Sequence, residues 1–307
     1  MCSVAVLMST FNGEQFIVDQ LDSIIAEVPL AKFYIRDDGS DDRTIEIFRA
    51  YFENRKENLA YFEFGTGNLG PAGSFFKLLK LVREDYIFLA DQDDVWIEGR
   101  ALMLLDKIRL VESSAKENTP ALVFSDVQVV DKDLSIIDSS FWHFESNFPY
   151  SRMKLSNVIV QNRAPGCSMI LNNSLARLVG ENIKNAIMHD WWLLLLAMTF
   201  GRVDYCANPT LKYRQHGSNT VGAKKVGWGL NDFIKNVKKS NLSIEKTVRQ
   251  ASSFLQTYPN MPCEHKLVFE NYIMLSDMNI FSRKFGLLGQ GYLKSSFYRN
   301  IGFFILF

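Results

Sequence analysis

Along the first 125 residues the apolar positions change period in a regular way. Residues 3–8 (SVAVLM) are almost continuously apolar, the pattern of a strand buried on both faces. Residues 14–26 instead space Phe16, Ile17, Leu21, Ile24 and Ile25 as one helical face. The same change repeats downstream. Short apolar runs at 33–35, 61–64, 86–90 and 121–125 read as strands. Helical stripes occupy 44–52 (Ile45, Ile47, Phe48, Phe52), 75–82 and 102–111. Strands alternating with helices of about ten residues predict βαβ units and an α/β fold with a mostly parallel, Rossmann-like sheet. Past residue 126 the alternation weakens. Strands are expected at 127–130 and 168–171, helices at 174–183 and 191–199, and a turn-rich stretch at 215–222 closes the region. Residues 228–307 read mainly as helices, broken near Pro259, Pro262 and 286–291. The pattern therefore divides the chain into an α/β domain over 1–222 and a helical C-terminal region over 223–307.

Ligands of such sheets bind beyond the carboxyl ends of the strands, so the residues after each strand carry the chemical information. The fourth strand runs into Asp91-Gln92-Asp93-Asp94. Three carboxylates in four residues repel and raise one another's pKa. A hard divalent cation, Mg²⁺ or Mn²⁺, relieves that cost, although an acidic turn capping the next helix is the plainer alternative. The second strand ends in Asp37-Asp38-Gly39-Ser40-Asp41-Asp42. Asp41 and Asp42 suit the first turn of the following helix. Asp37 and Asp38 lie too early for that role, and a carboxylate there can accept the N3–H of a uracil or thymine ring. The third strand leads into Gly65-Thr66-Gly67-Asn68-Leu69-Gly70, a literal GxGxxG. That motif belongs in the first βα turn of a dinucleotide fold. Here the first turn is Ser9-Thr10-Phe11-Asn12-Gly13-Glu14, so a Gly/Asn turn ahead of a helix-starting Pro71 explains the glycines. Further on, Asp190 in His189-Asp190-Trp191-Trp192 is either a helix cap or a reactive carboxylate, and His216 in Tyr213–Asn219 (YRQHGSN) is either a loop residue or a ligand.

Composition narrows the partners. With 47% hydrophobic and 22% charged residues the chain is ordinary globular protein. Its zero net charge gives no reason to expect nucleic acid. The charge is unevenly placed, however: residues 1–222 carry 22 Lys and Arg against 29 Asp and Glu, and residues 223–307 carry 12 against 5. A basic tail favours an anionic contact. Cys2, Cys167, Cys206 and Cys263 form no CxxC pair, so a zinc site or disulfide framework is not expected and a reducing cytoplasm is. No signal peptide is expected, and the apolar run at 191–200 is well short of the roughly 20 residues of a membrane span. In the tail, Lys294 and Arg299 are interleaved with aromatic residues up to Phe307, the composition of a helix resting on the cytoplasmic face of a membrane. Packing of these helices on the catalytic domain is the alternative.

Taken in order, STFNGEQFIVDQL at 9–21, DDGSDDRT at 37–44, Asn68–Gly70, DQDDVW at 91–96, Gly166-Cys167, HDWW at 189–192 and YRQHGSN at 213–219 resemble glycosyltransferase family 2, with its GT-A nucleotide-sugar fold. The combination is most similar to the bacterial rhamnosyltransferase-like branch that builds surface polysaccharide. The resemblance implies an inverting transferase using a nucleoside-diphosphate sugar, dTDP-rhamnose, and a saccharide or polyprenyl-linked glycan acceptor. It implies that Thr10, Asn12, Glu14, Asp37, Asp38, Asn68 and Asp91 contact the nucleotide. Asp93 and His216 would hold Mg²⁺ or Mn²⁺, and Asp190 would be the general base. Ser74 stands where the pattern leads one to expect Asn. The rival readings are a nucleotidyltransferase, which would carry a basic residue in the first glycine loop, and a catalytically inactive nucleotide-binding module.

Overall fold

The computed structural model describes residues 2–65, 67–145, 153–181, 183–217, 230–295 and 297–306. Strand β1 (Val4–Thr10) lies at the centre of a parallel block, between β2 (Lys32–Asp37) and β4 (Tyr86–Ala90), with β3 (Leu59–Glu63) outside β2. Successive side chains on a strand point to opposite faces, and β1 uses both. Val6 and Met8 pack with Ile17, Leu21 and Ile24 of α1 (Ile17–Glu27), with Phe48 and Phe52 of α2 (Thr44–Glu53), and with Leu104 and Ile108 of α4 (Arg100–Ser113). Ala5 and Leu7 join the opposite core with Phe75, Leu78 and Leu79 of α3 (Gly70–Leu79).

The expected parallel continuation into residues 121–125 is interrupted. β6 (Ala121–Val130) does not pair with β4; β8 (Met169–Asn172) lies between them, antiparallel to both, with Ile87 opposite Leu171 and Val123 opposite Ile170. The strands expected at 121–125 and 127–130 are one strand, irregular in register around Asp126. Next to it runs β9 (Arg202–Arg214), parallel to β6 and unforeseen in the sequence pattern. Arg202, Asp204, Asn208 and Lys212 alternate with Val203, Tyr205, Leu211 and Tyr213, of which Leu211 is fully buried, and the strand is joined to β6 along most of its length. β5 (Val95–Trp96) pairs with the end of β9, and β7 (Ile136–Asp138) pairs with β6.

Helices from distant parts of the chain cover the second face of the sheet. α8 (His189–Phe200) buries ten of its twelve residues, as expected of a helix that is apolar all round. The helix expected over 174–183 is only the short α7 (Asn173–Arg177). α6 (Leu155–Val160) packs against α8, and the C-terminal helices share the same core: α9 (Leu230–Thr257) meets α8 through Trp192, α10 (Cys263–Asp277) packs on α9 and α6, α11 (Ile280–Gly289) on α10 and α12 (Phe297–Leu306) on α9. Trp192 joins the two groups: its ring meets Phe76 of α3 at 6.5 Å and Phe254 of α9 at 5.0 Å. Phe254, Phe269, Tyr272, Tyr292 and Phe303 share this core. A fully buried aromatic of this kind contributes about 2–3 kcal/mol by area, so the basic tail is stapled onto the α/β body by several such groups.

Candidate active site

The loops after β1, β2 and β4 and the start of α3 open onto one cleft of about 750 Å³. At its first end the carboxylates are already heavily engaged. Asp37 accepts the Thr10 hydroxyl at 2.9 Å and the Gly39 and Ser40 amides at 3.1 and 2.8 Å, and is fully buried. Gly39 makes this turn with a φ of 99°, a left-handed conformation that side chains resist. Asp38 accepts the amides of Leu69 and Gly70, both at 2.7 Å, and pairs with the buried guanidinium of Arg36. Its charge thus meets the positive N-terminal end of α3. Ser74 is part of the same network: its hydroxyl accepts from Arg36 at 2.8 Å and donates to Asp38 at 3.2 Å. The departure from the expected Asn leaves a short hydroxyl beside the guanidinium. The glycine-rich turn also serves Arg36, through the Gly67 carbonyl at 2.7 Å.

Of the residues expected to meet the nucleotide, Thr10, Asp38, Asn68 and Asp91 line the cleft. Asn12 accepts the Asp41 amide and Glu14 the Arg43 amide, each at 3.0 Å, so both side chains join the β1 loop to the β2 loop. Ser9, Thr10 and Phe11 line the cleft beside them. Gln92, after the adjacent strand β4, locks Phe11 in place, accepting its amide at 2.9 Å and donating to its carbonyl at 3.0 Å.

The acidic loop after β4 occupies the middle. Asp93 lies 2.7 Å from Nε2 of His216, whose ring rests on Phe16 at 4.8 Å. Arg214, at the end of β9, holds the loop from behind by donating to the Asp93 carbonyl at 2.7 Å and, through its amide, to Asp94 at 3.1 Å. Burial, then the charges of Asp93 and Asp190, push the Asp91 carboxyl up to about 7. Burial, then the charges of Asp93 and Asp91, raise Asp94 as well. Such repulsion fits a cation. Asp91 and Asp93 face the cleft with His216 alongside, an oxygen-rich set suited to a hard divalent ion. Asp91, Asp94 and Cys167 form a second, deeper group with ligand atoms within 4.8 Å of one another. A thiol there favours softer metals than Mg²⁺.

Asp190 and His189 stand across the cleft at the start of α8. Asp190 accepts the Gly166 amide at 3.0 Å and the Trp191 amide at 2.6 Å. One partner lies 24 residues away, so this carboxylate does more than cap its own helix. Burial raises it to about 6. Gly166 is required by close approach: a Cβ there would sit 2.9 Å from Nε2 of His189 and 3.2 Å from Cβ of Asp190. The sequence motif names His189 but assigns it no role. Its ring stacks on Phe75 at 3.8 Å, burial pushes it down to about 3, and neither ring nitrogen has a hydrogen-bond partner among the described residues. The imidazole is neutral, and its two buried nitrogens are an uncompensated polar cost at the cleft wall. The one signal for it in the sequence is a polar residue opening an otherwise apolar helix.

The far wall corrects an expectation. Lys294 and Arg299, which the tail composition placed against lipid, line this cleft, and Phe303 is 3% exposed within the core. Phe307 lies outside the described residues.

Residues 5–178 match the family described as glycosyl transferase family 2. The chain is 28% identical over 232 residues to the dTDP-rhamnosyl transferase RfbG of Shigella flexneri, covering 70% of this chain and 74% of that protein. It is 32% identical over 95 residues, 30% of this chain and 31% of the relative, to an uncharacterized glycosyltransferase, the MG025 homolog, of Mycoplasma pneumoniae. Among solved structures it resembles S. aureus TarS residues 1–349 in complex with UDP-GlcNAc, with a TM-score of 0.54 at 14% identity, covering 99% of this chain and 88% of that one. It also resembles the mannosyltransferase PcManGT of Pyrobaculum calidifontis in complex with GDP-Man and Mn²⁺, with a TM-score of 0.53 at 14% identity over 94% of this chain and 73% of that one. These structural likenesses bear out the GT-A fold.

Proposed function

The chain belongs to glycosyltransferase family 2, and on that premise we propose that it transfers rhamnose from dTDP-rhamnose, with inversion, to a hydroxyl of a saccharide or lipid-linked glycan in surface polysaccharide synthesis. The observation that carries this reading is the desolvated Asp190 carboxylate in the same cleft as Asp91 and Asp93. The likeness to a dTDP-rhamnosyl transferase supports the donor. Two amide donors fix the Asp190 carboxylate in one orientation, and burial makes it a stronger base than a surface aspartate while leaving it ionised at pH 7. It would take the acceptor proton as that hydroxyl attacks the anomeric carbon from the face opposite the leaving diphosphate. His189 would bond a hydroxyl of either sugar without competing for the proton, since it stays neutral. Asp93, Asp91 and His216 would hold Mg²⁺ or Mn²⁺, which when bound neutralises charge on the departing dTDP. Asp38 and Asn68 would meet the nucleoside; Asp37, Asn12 and Glu14 would support it by fixing the loops. Residues 1–222 would carry the chemistry and 223–307 would close the cleft.

Among the described residues no helix is long and apolar enough to cross a membrane. We place the protein in the cytoplasm, in peripheral contact with the membrane when the acceptor is lipid-linked. The surface suited to that contact is α11, where Ile280, Phe281, Phe285 and Leu288 are 51, 75, 76 and 55% exposed. The deciding experiment is transfer and donor hydrolysis across dTDP-, UDP- and GDP-sugars, with Mn²⁺ or EDTA. Metal-dependent release of dTDP from dTDP-rhamnose is expected. Pyrophosphate release from a nucleoside triphosphate would point to a nucleotidyltransferase, and binding without turnover to an inactive module.

A further inference from the structure

Residues 293–295 form a clamped strip from which Lys294 lines the cleft. Gln161 accepts the Ser295 amide at 2.8 Å and donates to its hydroxyl at 3.0 Å. The Asn300 side chain accepts the Lys294 amide at 2.7 Å and donates to its carbonyl at 3.0 Å. Arg163 and Asn157 donate to the Leu293 carbonyl at 3.0 and 3.2 Å. With the backbone held on both sides, the Lys294 side chain is presented to the cleft. Its ammonium lies 4.9 Å from the Phe303 ring centroid, and among the described residues no carboxylate lies within ion-pair distance of it. Arg299, paired with Glu145, is its charged neighbour. Burial and the Arg299 charge hold the Lys294 amine down at about 8. A half-buried cation beside a second cation is costly unless an anion joins them.

We infer that Lys294, with Arg299, forms an oxyanion subsite for the acceptor, so that the acceptor carries a phosphate ester or carboxylate close to the hydroxyl that receives the sugar. The placement favours the acceptor over the donor. The nucleotide end is built on β1 and β2 and the acidic loop follows β4, whereas this wall is anchored on Gln161 and Arg163 after α6 and on Glu145 after the short helix α5 (Phe141–Phe144), which packs on β6. In the sheet, β6 is separated from β1 by both β4 and β8. The inference rests on the transferase reading for the word acceptor, and on the cleft alone for the anion.

The test titrates the full chain, with and without saturating Mn²⁺ and dTDP, using N-acetylglucosamine 1-phosphate, glucuronic acid and the uncharged methyl N-acetylglucosaminide. An anionic probe should bind about tenfold more tightly than the neutral one with dTDP present. Lys294→Met keeps the stem over Phe303 and should erase that difference, Lys294→Arg should keep most of it, and affinity for dTDP in Lys294→Met should change less than twofold. The phosphate and carboxylate arms tell which oxyanion the subsite takes. Equal binding of charged and neutral probes to the wild-type chain would overturn the inference, as would a Lys294→Met chain that loses dTDP affinity instead, for the cations would then serve the donor diphosphate. The titrations without nucleotide report on Lys294 even if dTDP does not bind, an outcome that would break the transferase reading alone.

Discussion

The two ends of the cleft are built by different strategies. At the end proposed to take the nucleotide, Asp37 and Asp38 are satisfied by amides and hydroxyls from loops that follow neighbouring parallel strands, and Arg36 neutralises the second of them. These carboxylates find their partners close in space because β1, β2 and β3 are adjacent in the sheet. At the other end, Gly166, His189, Asp190 and Lys294 come from segments far apart in the chain; two amides hold Asp190, but among the described residues the His189 ring nitrogens have no hydrogen-bond partner and the Lys294 ammonium has no carboxylate within ion-pair distance. A saturated network holds a shape with or without ligand; an undersatisfied one is completed by the ligand. The contrast suits a nucleotide pocket of fixed geometry facing a region where sugars are selected and the proton moves.

Removing a charge from the middle of the cleft should have the largest effect, since both ends depend on it. Asp93→Ala should reduce transfer to background and abolish the thermal stabilisation that Mn²⁺ adds to bound dTDP. Full turnover in that variant would detach the acidic loop from the chemistry. At the acceptor end, Asp190→Asn should lower turnover by about 10²-fold or more while dTDP affinity holds, because the amide cannot take the proton. In the wild type the rate should fall on the acid side with a midpoint near 6, the value to which burial raises Asp190. The sign follows from which form is needed: protonation below that pH removes the base. The folded state also binds this proton more readily than the unfolded chain, so the ionised carboxylate costs stability above about pH 6, a cost relieved as pH falls. A flat rate profile between pH 5 and 8 would assign the proton transfer elsewhere.

Smaller changes sharpen the contrast further. Gly166→Ala should cost about 1–3 kcal/mol of stability by overpacking against His189 and Asp190. It should lower kcat more than it raises the dTDP Kd, a split readable by melting and steady-state kinetics. The mildest effect is expected outside the cleft. Phe281→Ser with Phe285→Ser should leave transfer to a water-soluble acceptor unchanged and reduce co-sedimentation with anionic vesicles several-fold. Unaltered sedimentation would remove α11 from membrane contact.

Hydrophobic periodicity and loop composition were enough to place the strands β1 to β4 in α/β units, because each is a local pattern and each loop follows its own strand. That made Asp38, Asn68, Asp91 and Asp93 legible as neighbours on one sheet edge, and the motif order made Asp190 and His216 legible by resemblance. What the sequence could not carry was pairing across long separations. The insertion of β8 between β4 and β6, the strand β9 that delivers Arg214 and His216 to the acidic loop, and the return of Lys294 to the cleft all depend on contacts between residues far apart in the chain, 121 positions for Arg214 with Asp93 and 134 for Ser295 with Gln161. Composition described Lys294 and Arg299 as basic residues among aromatics, a description equally true of a membrane helix and of a cleft wall. Only the burial of Phe254, Tyr292 and Phe303 in the core they share with Trp192 decided between them, since burying aromatic area in a shared core fixes where the cations beside it must point.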